Sequence, residues 1–122
     1  MKRLVLALAL ASIAAVADPV KTDPDPNVTV FTDADGAHVV ILVAPSGILG
    51  TPPIQRVMNE RRGGQPKGQS KVHRSLAGPE NAWITRTRVV DGRTICEVFA
   101  QRPYGETAQA ERAAELFKEP CS

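Results

Sequence analysis

Residues 82–101 read AWITRTRVVDGRTICEVFAQ, and they are the clearest structural signal in the chain. Two runs rich in β-branched residues flank Asp91-Gly92, a dipeptide that favours a tight two-residue turn between antiparallel strands. The pattern therefore predicts a β-hairpin with a single register. The predicted cross-strand pairs are Val90 with Arg93, Thr87 with Cys96, Arg86 with Glu97, and Trp83 with Ala100.

Alternation gives this hairpin two different faces. The face without charge is predicted to point to the core, and it carries Trp83, Thr85, Thr87, Val89, Thr94, Cys96, Val98 and Ala100. The other face is expected to be a mixed surface with a cross-strand Arg86–Glu97 pair. Arginine and aromatic residues are enriched at interface hot spots. A partner-binding site is therefore predicted on this second face, at Arg86, Arg88, Arg93 and Phe99. The alternative is that the second helix covers this face.

A second hairpin is predicted upstream, from Val28 to Ala44, with its turn at 33–36. Its second strand, HVVILV at 38–43, is apolar on both faces, which is typical of a central strand covered on both sides. Two helices are predicted as well. One begins near Thr51, which precedes two prolines, and the other covers 107–118 with an apolar stripe at 3.6-residue spacing.

The predicted order is ββα, long loop, ββα. This indicates a single small α+β domain over 28–122, with a mostly antiparallel sheet of about four strands, two helices and one disulfide. The two halves align at an offset of 56 residues, with Asp35-Gly36 over Asp91-Gly92. A duplicated unit would explain this match, but the same offset places Ile41 over Glu97 and so mixes apolar and charged positions.

Residues 1–17 have the three parts of a secretion signal: basic Lys2 and Arg3, an apolar run, and a small-residue cleavage site before Asp18. Export to the periplasm or the medium is therefore expected, with no membrane-spanning segment left after cleavage. Lys2 and Arg3 are two of the 15 basic residues, so the mature chain would carry 13 basic and 13 acidic residues. Residues 18–27 are acidic and proline-rich, and are expected to form a mobile leader.

Two cysteines, Cys96 and Cys121, remain in the predicted mature chain. In an oxidising compartment a small domain usually pairs its cysteines, and their spacing does not fit a Cys-x-x-Cys motif. The sequence therefore predicts a structural disulfide that holds the second helix against the core face of the 82–101 hairpin.

The chain has a basic middle. Residues 56–74 hold six basic residues and only Glu60 as an acid, and 63–81 are expected to form a long glycine-rich loop. Such a loop could bind an anionic cell-envelope polymer by charge, and the candidate residues are Arg61, Arg62, Lys67, Lys71 and Arg74. It has no interleaved aromatic residues, which makes base stacking unlikely, and export argues against intracellular nucleic acid.

His38 and His73 are the remaining candidates for chemistry. His38 is expected opposite Asp33, where a metal site with leader carboxylates is conceivable. His73 lies between Ser70 and Ser75, but the glycine frame of a nucleophile elbow is absent. A small hydrolase or metal-binding protein is therefore the third hypothesis, after a partner-protein binder and a polyanion binder. The sequence contains no cofactor motif, and we expect no cofactor.

Overall fold

The computed structural model describes residues 19–45, 53–61, 65–66, 68–75 and 78–121. The predicted secretion signal, Arg62, Lys67 and Gly63-Gly64 lie outside these residues. The elements in chain order are β1 (Val20–Asp25), β2 (Val28–Thr32), β3 (His38–Val43), α1 (Pro53–Glu60), β4 (Gln65–Pro66), β5 (Lys71–Ser75), β6 (Gly78–Val90), β7 (Arg93–Gln101) and α2 (Glu106–Leu116). Neither described helix is long and apolar enough to cross a membrane.

The strands form one mixed sheet in the order β1-β2-β3-β7-β6-β4, and β5 also pairs with β6. Only the central pair, β3 with β7, is parallel, and the other pairs are antiparallel. The α+β class, the two helices and the mostly antiparallel sheet are confirmed. The expected strand count of about four is wrong, because the described residues contain seven strands.

The first extra strand comes from the acidic leader. β1 runs antiparallel to β2, with Val20 opposite Thr32 and Lys21 opposite Phe31. An edge strand can gain its backbone hydrogen bonds from one neighbour while its side chains stay in water, so it needs no apolar alternation. The leader therefore contributes a strand to the sheet, which its composition did not predict.

The other extra strands lie in the segment predicted as a long loop, 63–81. β4 pairs with β6 at Val89 and Arg88, and β5 pairs with β6 between Thr85 and Gly78. Both run along the same edge of the 13-residue strand β6. A polar, glycine-rich edge strand resembles a loop in sequence, because only its backbone is held.

The β6–β7 hairpin has the predicted register. Arg86 pairs with Glu97, Thr87 with Cys96, and Val90 with Arg93. The turn residues Asp91 and Gly92 both have positive φ, 51° and 78°. Positive φ at both positions is what a primed hairpin turn requires, and glycine adopts it without steric strain.

The β2–β3 hairpin is confirmed as well. The backbone N–H of Asp33 donates to the carbonyl oxygen of His38, so these two residues face each other as expected. The carboxylate of Asp33 accepts hydrogen bonds from the backbone N–H groups of Ala37 and His38. Gly36 completes the connection with a φ of 73°.

Each face of the sheet is covered by one helix. Val57 and Met58 of α1 pack on one face, against the cluster Val28, Val30, Val39, Ile41, Val43 and Phe99. Ala113 and Leu116 of α2 pack on the opposite face, against Phe31, Val40, Leu42, Val98 and Ala100. Strand β3 is central and covered on both sides, as its apolar sequence predicted. The prediction that the second face of the 82–101 hairpin is an open mixed surface is wrong, because α1 lies over it.

The two halves share an order of three antiparallel strands followed by a helix, β1-β2-β3-α1 and β5-β6-β7-α2, and the second half has β4 as an additional strand. Since the helices lie on opposite faces, equivalent strand positions in the halves must also face opposite sides. The offset of 56 matches Ile41 with Glu97, yet these two lie on the same face, because Val39 is opposite Glu97 in the parallel β3–β7 pair and Ile41 is two residues further along β3. The fold therefore repeats, but the strands do not follow that sequence offset.

Candidate functional site

The predicted partner-binding face contains a buried carboxylate held by three arginines. Glu97 is fully buried at 0% exposure. Its Oε1 accepts hydrogen bonds from Arg86 Nη2 at 2.6 Å and Arg88 Nε at 2.9 Å. Its Oε2 accepts from Arg88 Nη2 at 2.9 Å and lies 3.1 Å from Arg61 Nη2. We call Glu97 with Arg61, Arg86 and Arg88 the Glu97 cluster.

The charges of the Glu97 cluster decide the ionisation of its carboxyl group. Burial by itself raises the pKa of Glu97, because it removes water from the charged form. Hydrogen bonds from Arg86 and Arg88, with the charges of Arg86 and Arg61, outweigh burial, so the pKa lies below its ordinary value. Glu97 is therefore a stable anion inside the fold.

Arg86 also connects this cluster to α1. Its Nη1 donates to the carbonyl oxygen of Met58 at 2.9 Å, and its Nη2 donates to that of Arg61 at 2.8 Å. These carbonyls lie at the C-terminal end of the helix, where backbone acceptors are left over and the helix dipole is negative. The guanidinium group of Arg86 donates hydrogen bonds to these carbonyls, and its positive charge interacts favourably with the helix dipole. Arg86 also lies over the ring of Phe99, 5.0 Å from its centroid.

The four residues predicted to bind a partner therefore differ in how far their side chains are accessible to one. Phe99 is fully buried and offers no contact area in this structure. The side chains of Arg86 and Arg88 are only 14% and 11% exposed and point to Glu97. Arg93 is exposed and donates to the backbone carbonyl of Asp35. The cross-strand Arg86–Glu97 pair was predictable from the hairpin register, whereas the contribution of Arg61, 36 residues away, was not.

On the opposite face, Cys96 and Cys121 form the predicted disulfide, with Cα atoms 5.6 Å apart. The bond links β7 to the segment that follows α2, as expected. Next to it is an open groove of about 410 Å³, lined by Gly68, Gln69, Lys71, Thr87, Thr94 and the two cysteines. The disulfide is compatible with an extracytoplasmic location.

His38 lies at the end of α2 and contacts no metal-ligand set. Its ring meets that of Phe117 edge-on, with centroids 5.3 Å apart. Burial lowers its pKa, and the nearby charge of Asp33 partly opposes this shift. Within the described ranges, no group of three or more His, Cys, Asp or Glu side chains comes together as a metal site would require.

His73 stacks on Trp83, with centroids 5.4 Å apart and planes 11° from parallel. Its Nε2 is 3.0 Å from Oγ1 of the buried Thr85. Arg112 of α2 lies over the same indole, 5.8 Å from the centroid. The contacts of His73 are thus those of a packed side chain on the sheet.

The predicted polyanion-binding residues are divided between two faces. Arg61 is held by Glu97 beneath α1, while Lys71 is exposed and lines the groove on the disulfide side. Arg74 lies in β5, and its side chain is outside the described part of the chain, as are Arg62 and Lys67. No single basic patch therefore follows from the described residues.

The uneven charge of the sequence becomes an uneven charge across the sheet. β1, with the exposed Asp23, forms one edge, and the neighbouring β2–β3 turn adds the exposed Asp35. β4 and β5, from the basic middle of the chain, lie along the other end of the strand order. Among the described side chains, the exposed Asp23 and Asp35 thus lie towards one end of the strand order and the exposed Lys71 towards the other. Comparison with protein-family models, curated proteins and solved structures finds no match to this chain.

Proposed function

We propose that this is an exported, non-enzymatic binding protein that takes an extended acidic segment of another protein onto β5. The observation that supports this proposal is that β5 is paired on one side and carries exposed side chains. Among the described residues β5 pairs only with β6, and it carries Val72 at 61% exposure beside the exposed Lys71. An open edge strand has backbone donors and acceptors ready to pair with an added strand.

The two edges of the sheet differ in their suitability for this role. β1 contains Pro24, which lacks a backbone N–H, and proline on an edge is a usual means of preventing strand addition. The described part of β5, with the sequence KVHRS, has no proline. Val72 offers an apolar contact, and the exposed ammonium group of Lys71 favours an acidic partner. This surface replaces the sheet face first predicted, whose Phe99 is buried.

The test uses three soluble probes titrated into the ¹⁵N-labelled protein. The first is a short acidic peptide that alternates valine with aspartate or glutamate. The second is the same peptide with alternate backbone amides N-methylated, and the third is polyglutamate. Strand addition predicts shifts of the residue 71–75 amides with the first peptide and affinity at least about tenfold weaker for the second, since methylation removes backbone donors.

A matched pair of variants completes the experiment. The double variant Lys71→Glu and Val72→Asp should bind the first peptide more weakly than the wild type. The variant Lys21→Glu, on the opposite edge of the sheet, should bind it with unchanged affinity. Equal binding of the methylated peptide would overturn strand addition, as would the absence of shifts at residues 71–75 at millimolar peptide. If polyglutamate binds as well as the first peptide and is lost steeply with salt, the protein is instead the polyanion binder of the alternative hypothesis.

A further inference from the structure

The carboxyl ends of the two parallel strands form a second candidate site, independent of β5. β3 and β7 are parallel neighbours, and the helices that follow them lie on opposite faces of the sheet. In open sheets, a crevice forms where adjacent parallel strands send their connections to opposite sides, and ligands bind there. The backbone N–H of Arg102 donates to the carbonyl oxygen of Val43 at 2.7 Å, which joins the two strand ends.

A small cleft is present at the end of β7. Its volume is about 130 Å³, and it is lined by Asn81, Gln101, Arg102, Pro103 and Arg112. These residues include two guanidinium groups and two side-chain amides, and the described lining contains no carboxylate. Water occupies roughly 30 Å³ per molecule in the liquid, so the cleft has room for a single carboxylate or phosphate group.

Both arginines are held in place by neutral acceptors, which are two backbone carbonyls and one side-chain hydroxyl. Arg102 Nη2 donates to the carbonyl of Pro26 at 2.9 Å, and its Nη1 donates to Thr29 Oγ1 at 3.2 Å. Arg112 Nη2 donates to the carbonyl of Asn81 at 2.8 Å. These contacts orient the guanidinium groups without neutralising them. Each guanidinium has five N–H donors, so further donors remain for a ligand.

The arginines at the cleft can be compared with those of the Glu97 cluster by their acidic partners. On one face of the sheet, three arginines surround a carboxylate that the chain itself supplies. At the cleft, the salt bridge that Arg112 makes within the described part of the chain is with Glu115, at 3.3 Å, and the side chain of Glu115 is 69% exposed. Exposed ion pairs of this kind are weak and are readily exchanged for a better-placed anion.

We propose that this cleft, between Arg102 and Arg112, binds a small anionic group, a carboxylate or a phosphate. The planar guanidinium fork matches both groups in a two-point hydrogen bond, which a lysine could not supply. The anion could be a free small molecule or the carboxyl terminus of a peptide. Because the cleft lies at the strand ends and β5 lies at the sheet edge, this proposal does not depend on strand addition.

The test is a titration of the full chain with inorganic phosphate, acetate, N-acetyl-alanine and N-acetyl-alanine amide, followed by NMR of the arginine Nε–H groups. Phosphate, or acetate, should shift the Arg102 and Arg112 signals. N-acetyl-alanine binding more tightly than acetate would identify a peptide carboxyl terminus as the source, and its amide should not bind. Equal or weaker binding of N-acetyl-alanine would identify a free small anion.

Three variants separate recognition from general charge. Arg112→Gln should weaken binding by about tenfold or more, and Arg112→Lys should restore little of it, because the ammonium lacks the fork. Arg56→Gln, on the exposed side of α1, removes the same charge elsewhere and should leave binding unchanged. Equal losses in Arg56→Gln and Arg112→Gln, or no shift with any of the anions at millimolar concentration, would overturn the proposal.

Discussion

The two helices cover opposite faces of one sheet, and they are held there by different forces. α2 packs through Ala113 and Leu116, and the segment after it is tied to β7 by the Cys96–Cys121 disulfide. α1 is shorter and packs through Val57 and Met58, with its C-terminal end fastened by Arg86 and, through Arg61, by Glu97. One face therefore relies on a covalent bond, and the other on a buried charge.

This difference teaches how a charged sheet face becomes an interior. An Arg and Glu pattern on a strand is typical of a surface, and the sequence predicts a partner-binding interface there. Once α1 is in place, the same residues neutralise one another and satisfy the end of the helix. Removing one partner of a buried ion pair is strongly destabilising, because it leaves a buried charge without compensation. The two faces should respond to different perturbations, and four experiments test this.

The largest effect is expected from Glu97→Gln. This substitution keeps the size of the side chain but leaves Arg61, Arg86 and Arg88 without their anion, in a region that excludes water. Removing one partner of a buried ion pair typically destabilises by about 3–5 kcal/mol. Urea unfolding should report a loss of this order. Glu115→Gln, which disrupts only the exposed pair with Arg112, should change the unfolding free energy by a few tenths of a kcal/mol at most.

Removal of the disulfide should have the next largest effect. The double variant Cys96→Ala and Cys121→Ala opens a loop of 25 residues, for which the chain-entropy model gives roughly 3 kcal/mol. Hydrogen exchange should locate the change, with faster exchange of the α2 amides and little change for α1. Equal loss of protection in both helices would contradict the view that the two faces are held separately.

Acid should act on the α1 face. The pKa of Glu97 is lower in the folded protein than the ordinary 4.5 that applies to the unfolded chain. The unfolded chain therefore takes up this proton first, and the stabilisation by Glu97 is present above pH 4.5 and is lost as the pH falls through the folded pKa. Below pH 4.5, unfolding free energy should fall more steeply for the wild type than for Glu97→Gln. Parallel curves of unfolding free energy against pH for the two proteins would exclude Glu97 as the source of the acid sensitivity.

The smallest effect is expected from His38, on the α2 face. Burial lowers its pKa below 6.5, so the unfolded chain binds a proton that the folded chain resists. Stability should therefore decline as the pH falls below 6.5 and level off below the folded pKa. His38→Gln should flatten this part of the curve, and the NMR signals of Phe117 should report the same titration. If the unfolding free energy of the wild type is constant between pH 7 and 5, this prediction for His38 is wrong.

Much of the fold could be predicted from residues that are close in sequence. The β6–β7 register follows from Asp91-Gly92, because a two-residue turn leaves one possible pairing for every position after it. The central place of β3 follows from HVVILV, since a strand that is apolar on both faces needs cover on both. The edge strands β1 and β5 could not be predicted this way, because their backbones are paired but their side chains follow no apolar period.

The candidate sites were harder to predict than the fold. Arg86, Arg88 and Phe99 were correctly placed on one face, but whether that face meets solvent depends on α1, which lies about 28 residues earlier in the chain. Arg102 and Arg112 were not singled out at all. They belong to different elements, and only the direction of α2 over the sheet brings both to one cleft.

By itself, the sequence determined the secondary structure around each tight turn, the pairing of its two cysteines, and the apolar side of the first helix, whose Val57 and Met58 are buried. These depend on backbone geometry and on the period of neighbouring side chains, which act over a few residues. Only the tertiary structure decided which sheet face is interior, which of the described strands lie at the edges of the sheet, and which arginines pair with the buried Glu97. Those outcomes depend on contacts between distant segments, because a charge is exposed or satisfied according to what packs against it.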